Sequence, residues 1–208
     1  METILSALDS AINETNEQPK SSILEVATFE PVSDDMANYI VTQKMSKEKE
    51  DISDYEIRLP ERATEGSAGY DFFVPYDVII RPHQMVIIET FVRCKFINTK
   101  LINLDGSPFP YFGWQLKLYP KSGLGLKTGM RLENTVGIID SDYYYTQEEG
   151  LSNEGHIRIA VRTKWQYDLR LHKGQKIAQG IFEPYAIATN ERGKTFEKRN
   201  GGFGSTGK

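Results

Sequence analysis

The sequence predicts an all-β domain, either a sandwich or a barrel, over most of its 208 residues. From residue 54 onward, short runs of β-branched and aromatic residues are separated at regular intervals by Gly, Pro, Asn and Asp. Within this region only the stretch near residues 123–130 fits a helix, and its glycines keep that helix short. Many short strands with regular turn signals are typical of sandwiches and barrels. The strand candidates are residues 55–59, 77–80, 85–88, 114–118, 136–139, 155–161 and 177–182.

Residues 1–53 have a different composition. They contain no glycine, are rich in charged and polar residues, and show helical rather than alternating periodicity. The apolar residues between 4 and 12 share one helical face, and Ser33 is a candidate N-cap for a helix that reaches Met45. The charged run at residues 47–51 is typical of a solvated linker. The sequence therefore predicts an N-terminal extension, helical or mobile, and gives no indication of its function.

The overall charge and the single cysteine limit the class of protein. A formal net charge of −4 gives no basic field for nucleic acid, so no direct nucleic-acid partner is expected. Cys94 is the only cysteine, which excludes an intrachain disulfide and favours a reducing compartment. The acidic start lacks the features of a signal peptide, and no apolar run reaches membrane-spanning length. We expect a cytoplasmic protein with no membrane partner.

The segment around Lys121 is a candidate phosphate site. It does not match a P-loop, because Lys121 and Lys127 are preceded by Pro and Leu rather than by Gly. Lys121, Ser122 and Gly123 can instead open a short helix after a strand. A helix N-terminus with free amides, a hydroxyl and a cation suits a phosphate group. The alternative is an ordinary turn.

A second candidate is the segment from Asn134 to Tyr143, in which Asp140 ends an apolar run. A carboxylate at the mouth of a buried strand can serve as a general base, since partial desolvation raises its basicity. The alternative is that Asp140 and Asp142 only form a turn, as aspartates after strands often do.

The chain ends in a glycine-rich segment, residues 200–208, with one aromatic ring and two hydroxyls. Four glycines prevent it from folding alone, because glycine loses the most backbone entropy on ordering. Phe203 could stack on a base, while Ser205, Thr206 and the cationic residues before them could contact phosphate. This composition predicts a mobile lid over a ligand. The alternative is a frayed terminus.

Taken in order, five segments resemble the motifs of the homotrimeric dUTPase family, the dUTP pyrophosphatases, most closely its Firmicute and phage branch. Together they span the chain from residue 54 to its end. The matching segments are residues 66–72, 120–125, 134–143, 174–179 and 201–207.

The resemblance implies a jelly-roll-like β-barrel at residues 54–199, a lid at 200–208 and a homotrimer whose subunits share active sites. It implies hydrolysis of dUTP to dUMP and pyrophosphate, which limits uracil incorporation into DNA and supplies dUMP for thymidylate synthesis. Asp140 would activate the water that attacks the α-phosphorus. Asp71 would hold the site and the water shell of a Mg²⁺ ion, with no direct protein ligand to the metal. A protein regulator would be a further partner if the chain comes from a phage.

The resemblance also assigns substrate contacts. Phosphate contacts fall to the segment after residue 120, to Gln179 and to the tail. It assigns recognition of the uracil edge to the hairpin that begins at Asn134. Tyr143 would pack on the deoxyribose and Phe203 on the uracil. The implied substrate-binding residues are Lys121, Ser122, Gly123, Asn134, Gly137, Ile139, Tyr143, Gln179, Arg199, Phe203, Gly204, Ser205 and Thr206.

Three positions depart from the family pattern. Lys121 replaces the usual Arg and loses its planar fork. Lys176 stands where the family commonly has Arg, and its role stays open. In the tail, Lys198 aligns with the usual Arg, but Arg199 is favoured for the γ-phosphate because of its fork. Two other functions remain open: dCTP deamination, which the glycine-rich tail argues against, and non-catalytic binding of a nucleotide or a regulatory protein.

Overall fold

The computed structural model describes residues 25–44, 54–97, 112–144, 153–164, 166–191 and 194–195. Eleven strands and two short helices lie in these ranges. The strands are β1 (Ala27–Pro31), β2 (Glu61–Arg62), β3 (Tyr70–Phe73), β4 (Val78–Ile80), β5 (Met85–Phe96), β6 (Phe112–Pro120), β7 (Arg131–Leu132), β8 (Gly137–Ile139), β9 (His156–Arg162), β10 (Leu169–Leu171) and β11 (Lys176–Ala186). The helices are Asp34–Tyr39, which continues as a π-helical turn at Ile40–Lys44, and Ser122–Thr128. A 3₁₀ turn follows at Thr189–Glu191.

All strand pairs are antiparallel and form three sheets. One sheet has the order β1-β5-β9-β7, a second has the order β2-β3-β11-β6-β8, and β10 pairs with β4. This architecture confirms the predicted all-β fold. The predicted strands at 77–80, 85–88, 114–118, 136–139, 155–161 and 177–182 all correspond to observed strands.

The main core lies between the two larger sheets. Buried residues alternate with more exposed ones along β4, β8 and most of β9, as in half-buried strands; on β6, likewise, Leu116 and Leu118 are buried while Lys117 between them is partly exposed. His156, 0% exposed, is also enclosed here. The buried apolar members include Phe72, Ile80, Ile88, Leu116, Leu118, Met130, Ile157, Ile159, Leu171 and Ile177.

The prediction of a strand at 55–59 is wrong. This stretch is irregular, and the next strand along the chain, β2, begins at Glu61. Alternation alone does not make a strand, because the backbone also needs a ladder partner. Tyr55 instead packs its ring against Phe91 and Tyr76, with centroids 5.3 and 5.5 Å away.

The N-terminal segment is more closely integrated than predicted. The helix after Ser33 is confirmed, and the Ser33 hydroxyl caps it by accepting from the Met36 amide at 3.2 Å. However, β1 pairs with residues 92–96 of β5 and joins the barrel sheet. The described part of the extension is therefore packed on the barrel, and the domain boundary at residue 54 stays a prediction. The strand depends on the free edge of β5, a tertiary partner that local periodicity does not reveal.

A second core cluster fixes this segment to the barrel. It joins apolar residues of the helix and its π-helical turn to Tyr55 and Phe91. Phe91 has a φ of 59° at the point where the register between β5 and β9 shifts, and its carbonyl accepts from the Val32 amide at 3.0 Å. This bulge lets one long strand pair with β9 through its first half and with β1 through its second. No helix among the described ranges is long and apolar enough to cross a membrane.

Candidate active site

Three strands bring a buried carboxylate and two ammonium groups together. Asp71 lies on β3, Lys176 begins the neighbouring β11, and Lys121 follows β6 on the far side of β11. The Lys176 Nζ is 2.7 Å from Asp71 Oδ2, and the Lys121 Nζ donates to Oδ1. The Asp71 side chain is 2% exposed, whereas those of Lys121 and Lys176 are 32% and 39% exposed. The cluster therefore presents positive charge to solvent over a buried negative group.

The charge state of Asp71 follows from two opposing effects. Burial raises the pKa of its carboxyl, but the hydrogen bonds and charges of Lys121 and Lys176 outweigh burial and hold the pKa below its usual value of 3.8. Asp71 is therefore ionised at neutral pH, and one of its roles is to fix the positions of the two lysines.

Because the pKa of Asp71 is lower in the folded chain than in the unfolded one, its ionisation stabilises the fold above about pH 4. This contribution is lost as the pH falls through the folded pKa. We expect Asp71→Asn to be less stable than wild type at pH 7, and the difference to shrink at pH 3. Urea unfolding midpoints at both pH values measure it. A difference that does not change between them would contradict this assignment.

The helix Ser122–Thr128 begins beside this cluster. The Lys121 amide donates to the Ile177 carbonyl at 3.0 Å, which ties the start of the helix to β11. Ser122 and Gly123 are exposed, and a Cβ added at Gly123 would meet no atom within 4 Å. The first amides of a helix have no intrahelical acceptor. Open space therefore lies next to donors that suit an anion.

Gln179 lies between these elements, since the register aligns it with Asp71 on one side and Tyr119 on the other. Its side chain lies against the backbone of Gly69, where an added Cβ would come within 2.7 Å of Gln179 Oε1. Gly69 is thus required for the close approach. The structure brings together five predicted site residues: Asp71, Lys121, Ser122, Gly123 and Gln179.

Sequence reasoning missed two contributors here. Lys176 had no assigned role, and Gly69 was only part of a motif. The signal for Lys176 was its position three residues before Gln179 at the start of the strand. That signal could be interpreted only once β3 and β11 were known to be neighbours.

The second candidate segment forms a hairpin arm along β6. In β8, Gly137 pairs with Leu118 and Ile139 with Leu116, and Asp140 follows directly. A Cβ at Gly137 would come within 3.1 Å of the Leu118 side chain. The Ile139 side chain is buried, so only its main chain can contact a ligand.

The turn before β8 is tight. The Val136 amide donates to the Asn134 carbonyl at 2.7 Å, around Thr135 with a φ of 65°. Positive φ is unfavourable for a β-branched residue, and such strain is concentrated at binding sites. Asn134 is exposed beside it.

Tyr143 follows Asp140 in a turn, with its amide donating to the Asp140 carbonyl at 3.0 Å. Its side chain is buried in the main core. The hydroxyl donates to the His156 carbonyl at 3.0 Å and accepts from Asn153 Nδ2 at 2.9 Å. Tyr143 is therefore held firmly, and its contact with a sugar stays a prediction.

Asp140 is not near the Asp71 cluster within one chain. Gln179 on β11 lies opposite Asp71 on β3 and opposite Tyr119 on β6, so Asp71 is level with Tyr119. On the other side of β6, Ile139, the residue before Asp140, lies opposite Leu116. These positions differ by three residues along β6, about 10 Å, and β3 and β8 are three strand spacings apart, about 14 Å. A single side chain cannot bridge such a separation.

The remaining predicted contacts, Arg199, Phe203, Gly204, Ser205 and Thr206, lie outside the described residues. Within the part of the chain that the structure describes, no group of three or more His, Cys, Asp or Glu side chains could hold a metal ion.

The fold and the lysine–aspartate cluster together define an all-β protein in which two partly exposed ammonium groups lie over a buried carboxylate. The chain belongs to the dUTPase family, whose family model matches residues 55–103 and 110–207. This confirms the family resemblance of the sequence.

Known proteins agree with this assignment. The deoxyuridine 5'-triphosphate nucleotidohydrolase of Lactococcus lactis subsp. lactis is 33% identical over 151 residues, which cover 73% of this chain and 89% of that protein. The Acinetobacter baumannii protein of the same name is 34% identical over 155 residues, covering 72% and 88%. The solved Streptococcus mutans dUTPase has a TM-score of 0.52 at 27% identity and covers 77% of this chain and 97% of that one.

A more distant similarity supports the fold alone. The dUTPase of Staphylococcus bacteriophage 80alpha, solved with dUpNHpp, has a TM-score of 0.51 at 18% identity, covering 84% of this chain and 99% of that one.

Proposed function

We propose that this chain hydrolyses dUTP to dUMP and pyrophosphate. The observation that carries the proposal is the Asp71 cluster with Lys121 and Lys176, built from segments that the dUTPase family model matches. Two lysines over a buried carboxylate, beside exposed helix amides, suit a polyanion better than a neutral ligand.

In this function Lys121, Ser122, Gly123 and Gln179 bind phosphate oxygens. Phosphoryl transfer asks mainly for positioning and neutralisation of charge, and these groups supply both. The Lys121 ammonium acts as a point charge, whereas an arginine guanidinium can donate two parallel hydrogen bonds. Lys121 therefore holds a phosphate oxygen with less directional constraint than an arginine.

Asp140 is the proposed general base. It takes a proton from the water that attacks the α-phosphorus, the new P–O bond forms, and the bond to the pyrophosphate breaks in line. The separation between Asp140 and the Asp71 cluster supports a site shared between copies, in which a second subunit supplies Asp140. The apolar Ile138 side chain, 55% exposed on β8, also supports burial of this arm against another copy. We propose the homotrimer on this basis together with the family resemblance.

Base and sugar recognition is proposed for the hairpin arm. Main-chain groups of Gly137 and Ile139 would match the uracil edge with help from Asn134, and Tyr143 would pack on the deoxyribose. Hydrogen-bond recognition discriminates well, because a mismatched exocyclic amine leaves buried polar groups unpaired.

The tail completes the proposed site. Phe203 would stack on the uracil, while Arg199, Ser205, Thr206 and the Gly204 amide would contact the γ-phosphate. Stacking of an aromatic ring on a base is worth about 1–3 kcal/mol.

Mg²⁺ is the proposed cofactor. Asp71, whose oxygens are both paired with lysines, would reach only the water shell of an ion that the triphosphate holds. The ion would neutralise charge on the phosphates. The dUTPase of phage phi11 of S. aureus, 20% identical at a TM-score of 0.50, coordinates a structural Mg(II) ion. We propose that the protein acts in the cytoplasm, where its activity would limit uracil in DNA and supply dUMP.

The test is incubation of the full chain and Mg²⁺ with dUTP or dCTP in separate reactions. We expect pyrophosphate and dUMP from dUTP and no ammonia from dCTP. Ammonia release from dCTP would identify a deaminase instead. Binding of dUTP without turnover would identify a non-catalytic nucleotide-binding protein.

A further inference from the structure

The described N-terminal segment, residues 25–44, makes polar contacts at one particular place on the barrel. The family match begins at residue 55, so this segment is an addition to the matched region. Its polar side chains converge on the two segments that flank residues 145–152, namely the turn from Asp140 to Tyr144 and the stretch from Asn153 to His156. The first of these carries the proposed base.

The Glu154 carboxylate is the centre of these contacts and is 4% exposed. Its Oε1 accepts from the Ser33 hydroxyl at 2.5 Å, and its Oε2 accepts from the Ser33 amide at 2.9 Å. Arg93 of β5 also donates to Oε2 at 3.3 Å. A buried carboxylate needs such donors, because an uncompensated buried charge is strongly destabilising. Glu154 is therefore fixed by the N-terminal segment and by β5.

Tyr144 is held by the same segment. Its hydroxyl donates to Glu30 Oε2 at 3.0 Å, and the Arg93 guanidinium lies 4.8 Å from the centre of its ring. Arg93 in turn pairs with Glu30 at 3.2 Å. One arginine and two carboxylates thus connect β1, β5 and both flanking segments in a single network.

The network continues to Tyr143 through the backbone. A Cβ added at Gly155 would come within 2.8 Å of both the Tyr143 carbonyl oxygen and the Tyr144 Cα, so the backbone at Gly155 is in close contact with the backbone of these two tyrosines. Asn153 donates to the Tyr143 hydroxyl at 2.9 Å. Displacement of Glu154 therefore moves the surroundings of Tyr143 and of the turn that begins at Asp140.

We propose that residues 25–44 act as an intramolecular brace that positions the Asp140–Tyr144 turn, with Glu154 as the positioning residue through which the brace acts. The inference rests on the proposed function, in which Asp140 and Tyr143 act on the nucleotide. A brace differs from a general stabiliser because its loss changes which sugar is accepted, not only how much protein is folded.

The test compares kcat and KM for dUTP and UTP in the full chain and in Ser33→Ala and Glu154→Gln. We expect the preference for dUTP, as a ratio of kcat/KM values, to fall about tenfold in both variants, the effect of losing one charge-assisted hydrogen bond. The double variant should show the preference of the single variants rather than a further tenfold loss, since both remove one connection. Ser33→Thr, which keeps the hydroxyl, should retain the wild-type preference.

Asn38→Ala is the matched control, because Asn38 is exposed on the same helix; it should leave the preference unchanged. Ser33→Ala also removes the helix cap, but lost cap stability lowers both activities in the same proportion. A proportional fall for dUTP and UTP, or no change, in an active protein would overturn the brace alone. Wild-type protein that fails to hydrolyse dUTP would overturn the proposed function and the brace with it.

Discussion

Replacing Asp140 with asparagine is expected to lower kcat for dUTP hydrolysis roughly 10³-fold, the usual contribution of a positioned general base. Asparagine has nearly the same shape but cannot take a proton from the attacking water. Binding of dUTP should be retained, since the lost interaction acts in the transition state rather than in the ground state. Steady-state kinetics and equilibrium binding of dUTP with the same protein measure the two effects.

The matched control for this variant is Asp142→Asn, two residues further along the same turn, where the side chain is exposed. It should keep kcat within about twofold of wild type, as surface substitutions usually do. Unchanged turnover in Asp140→Asn would refute the assignment of the base and leave Asp140 as a turn former.

Removal of residues 200–208 is expected to lower kcat/KM for dUTP by about 100-fold or more, since misplaced substrate groups cost this much even without loss of chemistry. The segment supplies the proposed ring over the uracil and the proposed contacts to the γ-phosphate. The strands and both core clusters described above lie before residue 192, so the barrel should still fold.

Kinetics of the truncated chain, together with its thermal midpoint and its oligomeric state, measure this effect. Phe203→Ala in the full chain separates stacking from the phosphate contacts and should cost less than truncation. Full activity in the truncated chain would show that the tail is not a lid.

The sequence alone predicted most of the barrel, because alternation and turn residues are local signals. The buried faces of β6 and β9 and the helix start at Ser122 are of this kind. It did not predict β1, because the short run from Ala27 to Pro31 becomes a strand only against the free edge of β5. The same limit hid the contact between Ser33 and Glu154, whose residues are 121 positions apart.

The candidate site was predictable as a set of residues but not as an arrangement. The motifs, read in order, suggest one continuous site that includes Asp71 and Asp140. The strand register instead places Asp71 on β3 and Asp140 just after β8, three strand spacings apart in the five-stranded sheet. Only tertiary structure shows that the predicted residues divide into two groups, and this separation is the basis of the proposal that a site is shared between copies of the chain.

The most direct test of this account is complementation between two inactive variants. Asp71→Asn and Asp140→Asn, each expected to be nearly inactive alone, are co-expressed with different tags and the mixed oligomers are isolated. If each site of the proposed trimer takes Asp71 from one subunit and Asp140 from another, the isolated mixed trimers restore about a third of the wild-type activity, since one subunit interface in three has both intact residues. Activity no higher than that of the separate variants would contradict a shared site.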